Sequence, residues 1–288
     1  MESTELIKKV RKIEIRTKAL SQQIFSGQYH SAFKGRGMAF SEVRQYNYDD
    51  DVRFIDWNVT ARFNQPYVKI FEEERELTVM LLIDVSGSNL FGTHGQFKAD
   101  LITELATVLS FSAIHNNDKV GVIFFSNKVE KFIPPKKGKS HILRIIQELV
   151  SYTPSQVDTN ISEALRYLTN VIKKKCTAFI ISDFIDLDFE QALKIASNKH
   201  DIVALHITDF REIKMHDLGL VKVKDPESGS FYLADTSDIR TRREYEKWWN
   251  NLRQKNREIF KRTGVDVATL QTGEDYVKEL SELFKRRG

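Results

Sequence analysis

The chain has 288 residues, of which 44 are Lys or Arg and 40 are Asp or Glu, giving a formal net charge of +4. So small a difference of large numbers says little about nucleic acid, while 41% hydrophobic residues are enough for a sizeable core. A single cysteine, Cys176, excludes an internal disulfide and fits a reducing compartment.

The N-terminal stretch is charged throughout, with no apolar signal core. No apolar run approaches the ~20 residues of a membrane helix. A soluble, cytoplasmic protein without membrane insertion is expected. Glu5 to Phe25 reads as an amphipathic helix, with Leu6, Val10, Ile13, Leu20 and Ile24 roughly on one side. Gly35 to Glu76 mixes aromatics with dense charge. Arg36, Arg44, Arg53 and Arg62 alternate with Glu42, Asp49, Asp50, Asp51 and Asp56, and Tyr46, Tyr48, Phe54, Trp57, Phe63 and Tyr67 lie between them. The acids would repel phosphates, so a single-strand nucleic-acid surface gives way to internal Arg–carboxylate pairing under an aromatic layer. Residues 1–76 are thus expected to form an N-terminal helix and irregular segment, ahead of a domain over 77–288.

That domain opens with an unbroken apolar run, Leu77-Thr78-Val79-Met80-Leu81-Leu82-Ile83. A strand with one wet face would alternate; one covered on both faces does not. Phe97 to His115 reads as a long helix, Lys119 to Ser126 as a second buried strand, and Val129 to Ile133 as a short neighbour ended by Pro134 and Pro135. Helices follow at Ser140 to Ser151 and Ser162 to Ile172, then a strand at Thr177 to Ser182. Phe189 to Asn198 is helical and Asp201 to Ile207 a further strand. Gly219 to Ala234 breaks the rhythm as a hairpin. Ser237 to Arg262 is a long basic helix, followed by a strand at Val265 to Leu270 and a helix at Glu274 to Lys285. The alternation predicts an α/β fold, a doubly wound, mainly parallel sheet with helices on both faces.

The first apolar run stops at Asp84, followed by Ser86, Gly87 and Ser88. In open α/β sheets, ligands bind beyond the carboxyl ends of the strands. Three hard oxygens within five residues can converge on one hard cation such as Mg²⁺. The alternative is a capped turn, since Ser and Asp favour such positions for hydrogen-bonding reasons alone. Asp158-Thr159-Asn160 precedes a helix at the same predicted edge, and Asp183 ends the strand Thr177 to Ser182. A Thr hydroxyl and a second carboxylate would complete an oxygen-only set.

This set resembles the metal-ion-dependent adhesion site of von Willebrand factor type A domains. The resemblance implies that Asp84, Ser86, Ser88, Thr159 and Asp183 surround Mg²⁺ (or Mn²⁺), directly or through water, and that an acidic residue of a bound partner fills the open position. A narrower likeness covers nearly the whole chain. Gly35-Arg36-Gly37, Tyr46 with Asp50-Asp51-Val52-Arg53, Ile55-Asp56-Trp57, Thr60-Ala61-Arg62, Phe132-Ile133-Pro134-Pro135 and Ser182-Asp183-Phe184 resemble the signature of the bacterial family called domain of unknown function 58. That resemblance implies a von Willebrand type A-like domain and a partnership with a MoxR-type AAA+ ATPase. It further implies a non-enzymatic adaptor or chaperone-like role. Asp49 stands where the family usually has Gly, and Asn89 where Met is common.

Other chemistries fit less well. Gly138-Lys139-Ser140 lacks the glycine that a phosphate-binding loop needs five residues earlier, where Ile133 stands. A metal-dependent phosphohydrolase on the same sheet remains the alternative function, although Ser86 occupies the usual place of its second Asp, the general acid. The seven His form no close pair and have no Cys partner, which argues against zinc.

Overall fold

In a computed structural model, residues 38–73, 77–90, 92–93, 96–152, 158–186, 188–224 and 231–287 are described. The helix expected over Glu5 to Phe25, the motif Gly35-Arg36-Gly37 and the tip of the hairpin lie outside them. The described residues fall into two compact units, one within Lys34–Glu76 and the other from Leu77 onward.

The smaller unit pairs β1 (Met38–Gln45) antiparallel with β2 (Tyr67–Glu73). Between them lies a short helix, α1 (Trp57–Phe63), whose first turn is capped by the Asp56 carboxylate accepting from the Asn58 and Val59 amides. The expected Arg–acid pairing is present. Arg44 grips Asp50 with two bonds of 2.8 and 2.7 Å, and Arg53 holds Asp51 at 2.6 Å. The aromatic layer over these pairs is not: Tyr48, Trp57 and Phe63 are exposed. Each pair closes a turn between residues two or six apart, so it needs no cover.

In the larger unit the strands are β3 (Thr78–Asp84), β4 (Gly92–Thr93), β5 (Gln96–Phe97), β6 (Lys119–Phe125), β7 (Val129–Lys136), β8 (Thr177–Ser182), β9 (Asp201–Thr208), β10 (Leu220–Lys224), β11 (Phe231–Asp235) and β12 (Asp266–Gln271). Its helices are α2 (Lys98–His115), α3 (Lys139–Ser151), α4 (Ile161–Val171), α5 (Glu190–Lys199), α6 (Phe210–Ile213), α7 (Ile239–Thr263) and α8 (Tyr276–Arg287). The main sheet has the order β12-β9-β8-β3-β6-β7, parallel except for β7. Val79, Leu81 and Ile83 of β3 pack on one face with α2 and α8, while Met80 and Leu82 pack on the other with α4, α5 and α7. Burial on both faces is the reason the run does not alternate. The chain leaves β3 toward β6 on one side and returns at β8 on the other. The carboxyl ends of β3 and β8 therefore form the topological switch point, where an open α/β sheet offers a crevice.

α2 runs through the core with Thr103, Thr107, Ser110 and Ser112 buried. Each hydroxyl donates to the carbonyl four residues earlier, at 2.6 to 2.8 Å, which satisfies it without a partner outside the helix. Among the described residues, no helix is long and apolar enough to cross a membrane.

β7 corrects one expectation: it continues through Pro134 and Pro135 to Lys136. It is an edge strand, so the missing amides cost no ladder bond on its open side. The register shifts between Val120 and Val122, where the prolines bulge opposite Gly121. A Cβ at Gly121 would lie 2.7 Å from the Met80 sulfur, 2.9 Å from the Pro135 nitrogen and 3.0 Å from the Ile133 oxygen. Two of those atoms are backbone and cannot swing away. Gly121→Ala is expected to cost about 1–3 kcal/mol by overpacking, read as a lower urea midpoint at unchanged slope; an unchanged midpoint would mean that the bulge yields freely.

Candidate metal centre

Asp84 is the last residue of β3, and its Oδ1 accepts from the Ser86 amide at 3.0 Å. This short side-chain turn curls the loop so that the Ser86 and Ser88 hydroxyls meet at 3.0 Å. From the adjacent strand, the Ser182 hydroxyl donates to Asp84 Oδ2 at 2.6 Å and itself accepts from the Phe184 amide at 3.1 Å. Asp183, next in the chain, accepts from the Ile185 amide at 3.3 Å and takes a hydrogen bond from the Ser88 side chain. Asp84, Ser86, Ser88 and Asp183 thus form one bonded group at the switch point. Thr159 is half-buried just ahead of α4. The Asn160 amide donates to the Ser126 carbonyl at 2.8 Å, setting this segment at the carboxyl end of β6. Thr159 therefore shares the edge with the other four, but the hydrogen bonds that link them do not include it.

The electrostatics are those of two carboxylates crowded out of water. Burial, and then the charge of Asp183, push the Asp84 carboxyl up to about 7. Burial acts on Asp183 in the same direction. The charge of Lys98 and hydrogen bonds from Ser88 and Lys98 outweigh it and hold Asp183 below the usual carboxylate range. The Lys98 amine is fully buried, 3.0 Å from Asp183 Oδ2 and 2.6 Å from Glu212 Oε1. Burial alone would strip its proton; the two acids keep it charged, above its ordinary range. Burial pushes Glu212 up to about 7, against the pull of Lys98. His206, packed nearby, is pushed down to about 4 by burial.

Among the described residues, no group of three or more His, Cys, Asp and Glu is arranged to hold a metal ion. The donor set here is of another kind, two carboxylates and two hydroxyls, all oxygen. That chemistry suits a small hard cation and not a soft one. Burial and then the charge of Asp183 raise Asp84, and a cation held there would relieve both, so the residues fit the expected group.

Three participants were not singled out by the sequence. Ser182 reads as the end of a strand. Glu212 lies in a stretch with no periodic signal. Lys98 did carry one: it is the first residue of a helix, where the positive end of the helix dipole disfavours a cation.

Strand order, switch point and oxygen cluster define a doubly wound α/β domain with a buried, oxygen-rich group at its carboxyl edge. The chain belongs to the family described as "Protein of unknown function DUF58", whose model matches residues 42–255. Among curated relatives, "Uncharacterized protein Rv1480" of Mycobacterium tuberculosis is 28% identical over 233 residues, covering 80% of this chain and 73% of that protein. "Uncharacterized protein MAV169" of Mycobacterium avium is 23% identical over 159 residues, covering 54% and 93%. Among solved structures, BatB from Bacteroides thetaiotaomicron aligns at 17% identity and TM-score 0.47, over 73% of this chain and 98% of that one. The SpRpn10 VWA domain aligns at 10% identity and TM-score 0.38, over 73% and 95%.

Proposed function

We propose that the protein is a non-enzymatic, metal-dependent interaction module, acting as an adaptor or chaperone-like partner of a MoxR-type AAA+ ATPase. The observation that carries this reading is the convergence of Asp84, Ser86, Ser88 and Asp183 at the switch point, with Asp84 raised by burial and then by the like charge of Asp183. These residues, with Thr159 beside them, would hold Mg²⁺ or Mn²⁺. A cation held there would offer an attachment point to a carboxylate of the partner. The chain's own contribution is to fix the ligands. The Asp84–Ser86 turn aims the two hydroxyls, Ser182 orients Asp84, and Lys98 with the Ile185 amide orients Asp183. Asp84, Ser86 and Asp183 are each only 1% exposed and Ser88 4%.

Calorimetric titration of the EDTA-treated protein is expected to show one Mg²⁺ or Mn²⁺ site that disappears in Asp84→Ala. Capture of a purified MoxR-type ATPase from the same genome should require both the metal and Asp84. Metal binding that survives Asp84→Ala would sink the site, and capture that survives EDTA would move the interface elsewhere.

A further inference from the structure

The site already contains a cation of its own. Lys98 Nζ lies between Asp183 and Glu212 with no solvent exposure, and its partners are 85 and 114 residues away in the chain. It therefore ties together the start of α2, the end of β8 and the segment after β9. That last segment is anchored in turn, because the Tyr245 hydroxyl of α7 donates to the Glu212 carbonyl at 2.7 Å. A lysine at the first position of a helix works against the dipole, and a buried ammonium is costly unless it is paired. Here both costs are offset by carboxylates at the rim of the oxygen cluster, one of which belongs to the cluster.

We propose that Lys98 is a positioning residue and the resident counter-cation of this site: it holds Asp183 in place without a bound ion and, by its charge, weakens the binding of a divalent one. The inference rests on the metal reading above for its second half and on the ion pairs alone for its first. Without an ion, Lys98 keeps Asp183 beside Asp84 and prevents the cluster from flying apart. With an ion, two cations share Asp183, and the divalent one is held less tightly than the four oxygen ligands alone would hold it. Glu212 sets the balance. By drawing on the same ammonium, it leaves less of the lysine's charge to oppose the ion.

The test compares Lys98→Met, Lys98→Arg and Glu212→Gln with the parent protein, using Mn²⁺ as the probe. Thermal unfolding is followed in EDTA and in Mn²⁺, and affinity is measured by calorimetry. Lys98→Met is expected to lower the midpoint in EDTA, to recover much of that loss in Mn²⁺, and to bind Mn²⁺ about tenfold tighter because a nearby like charge is gone. Lys98→Arg keeps the charge and should restore the EDTA midpoint at least in part. Glu212→Gln leaves Lys98 to Asp183 alone and should bind Mn²⁺ more weakly than the parent. It changes the balance without removing the buried cation, so it reports even where Lys98→Met folds poorly. A merely structural lysine would lower the midpoint equally in both buffers and leave the affinity of both variants unchanged; that result overturns the proposal while the metal site stands. Mn²⁺ binding gained in Lys98→Met by a parent that binds none supports it in its strongest form. No binding in any of the proteins overturns both this inference and the metal reading.

Discussion

In EDTA at pH 8, Asp84→Asn is expected to be more stable than the parent protein, although it removes a central residue of the site. The Asp84 carboxyl has an ordinary value of 3.8 and is raised to about 7 in the folded chain. A raised folded value means that the native state holds the proton more tightly than the unfolded state does. The stability this contributes is complete below about pH 4 and is lost as pH rises through 7. At about 1.4 kcal/mol per unit, the loss by pH 8 is on the order of 4 kcal/mol. Asn is neutral throughout and does not lose it. Its amide can donate to the Ser182 hydroxyl, which has two acceptor sites and now receives only the Phe184 amide.

The measurement is urea unfolding of both proteins in EDTA from pH 4 to 8, read as the difference between them. Glu212, also raised to about 7, contributes with the same sign as Asp84, and His206, lowered to about 4, with the opposite one. Both are present in each protein and largely cancel in the difference. The gap should open between pH 4 and 7 in favour of Asp84→Asn. Excess Mg²⁺ should then narrow it by stabilising the parent alone, by about 2.7 kcal/mol at a hundredfold excess over the dissociation constant. A parent that is the more stable protein at pH 8 without metal would show that Asp84 is a structural cap and not a strained ligand.

The same residues show what the sequence makes legible. An apolar run too long to alternate, ended by Asp84 and two serines, marks both the central strand and the edge at which chemistry sits. Either fact is local, so a short window of sequence contains it. Asp183 is legible for the same reason, as a carboxylate closing another apolar run. Lys98 is legible only as a cation misplaced at the start of a helix, and its role is not, because helical periodicity reports only which face a residue occupies. It says nothing of a long side chain whose partners lie 85 and 114 residues downstream. The prolines of β7 mislead in the opposite way. They are strand breakers only where both edges are paired, and edge position is a property of the sheet order. The aromatics around Tyr48 and Trp57 likewise read as a packed layer by composition, but the turns that pair their neighbouring charges close without them.

Phe184 joins this site to the core, and its replacement is expected to cost about 3–5 kcal/mol when the ring is removed by Phe184→Ala. The side chain is fully buried, with ring centroids 5.1 Å from Phe260, 5.7 Å from Phe189 and 5.7 Å from His206. Its backbone has φ 53°, a left-handed conformation that costs a residue with a side chain about 1–2 kcal/mol. The surroundings hold it there. Its amide donates to the Ser182 hydroxyl, its carbonyl accepts from the Asn256 side chain at 2.9 Å, and the ring is locked among Phe189 just ahead of α5, Phe260 on α7 and His206 on β9. This turn sets the direction of the Asp183 carboxylate, so packing energy far from solvent is what aims a ligand at the cluster. Alanine keeps the strain and loses the packing; glycine loses the packing and the strain. Phe184→Gly should therefore be at least as stable as Phe184→Ala in urea unfolding, the reverse of the order expected at most buried positions. Both variants should bind Mn²⁺ more weakly than the parent, because Asp183 is no longer held. A glycine variant clearly less stable than the alanine variant would show that the turn relaxes out of the left-handed conformation once the ring is gone. The ring, and not the hydrogen bonds to Ser182 and Asn256, would then be what fixes the site.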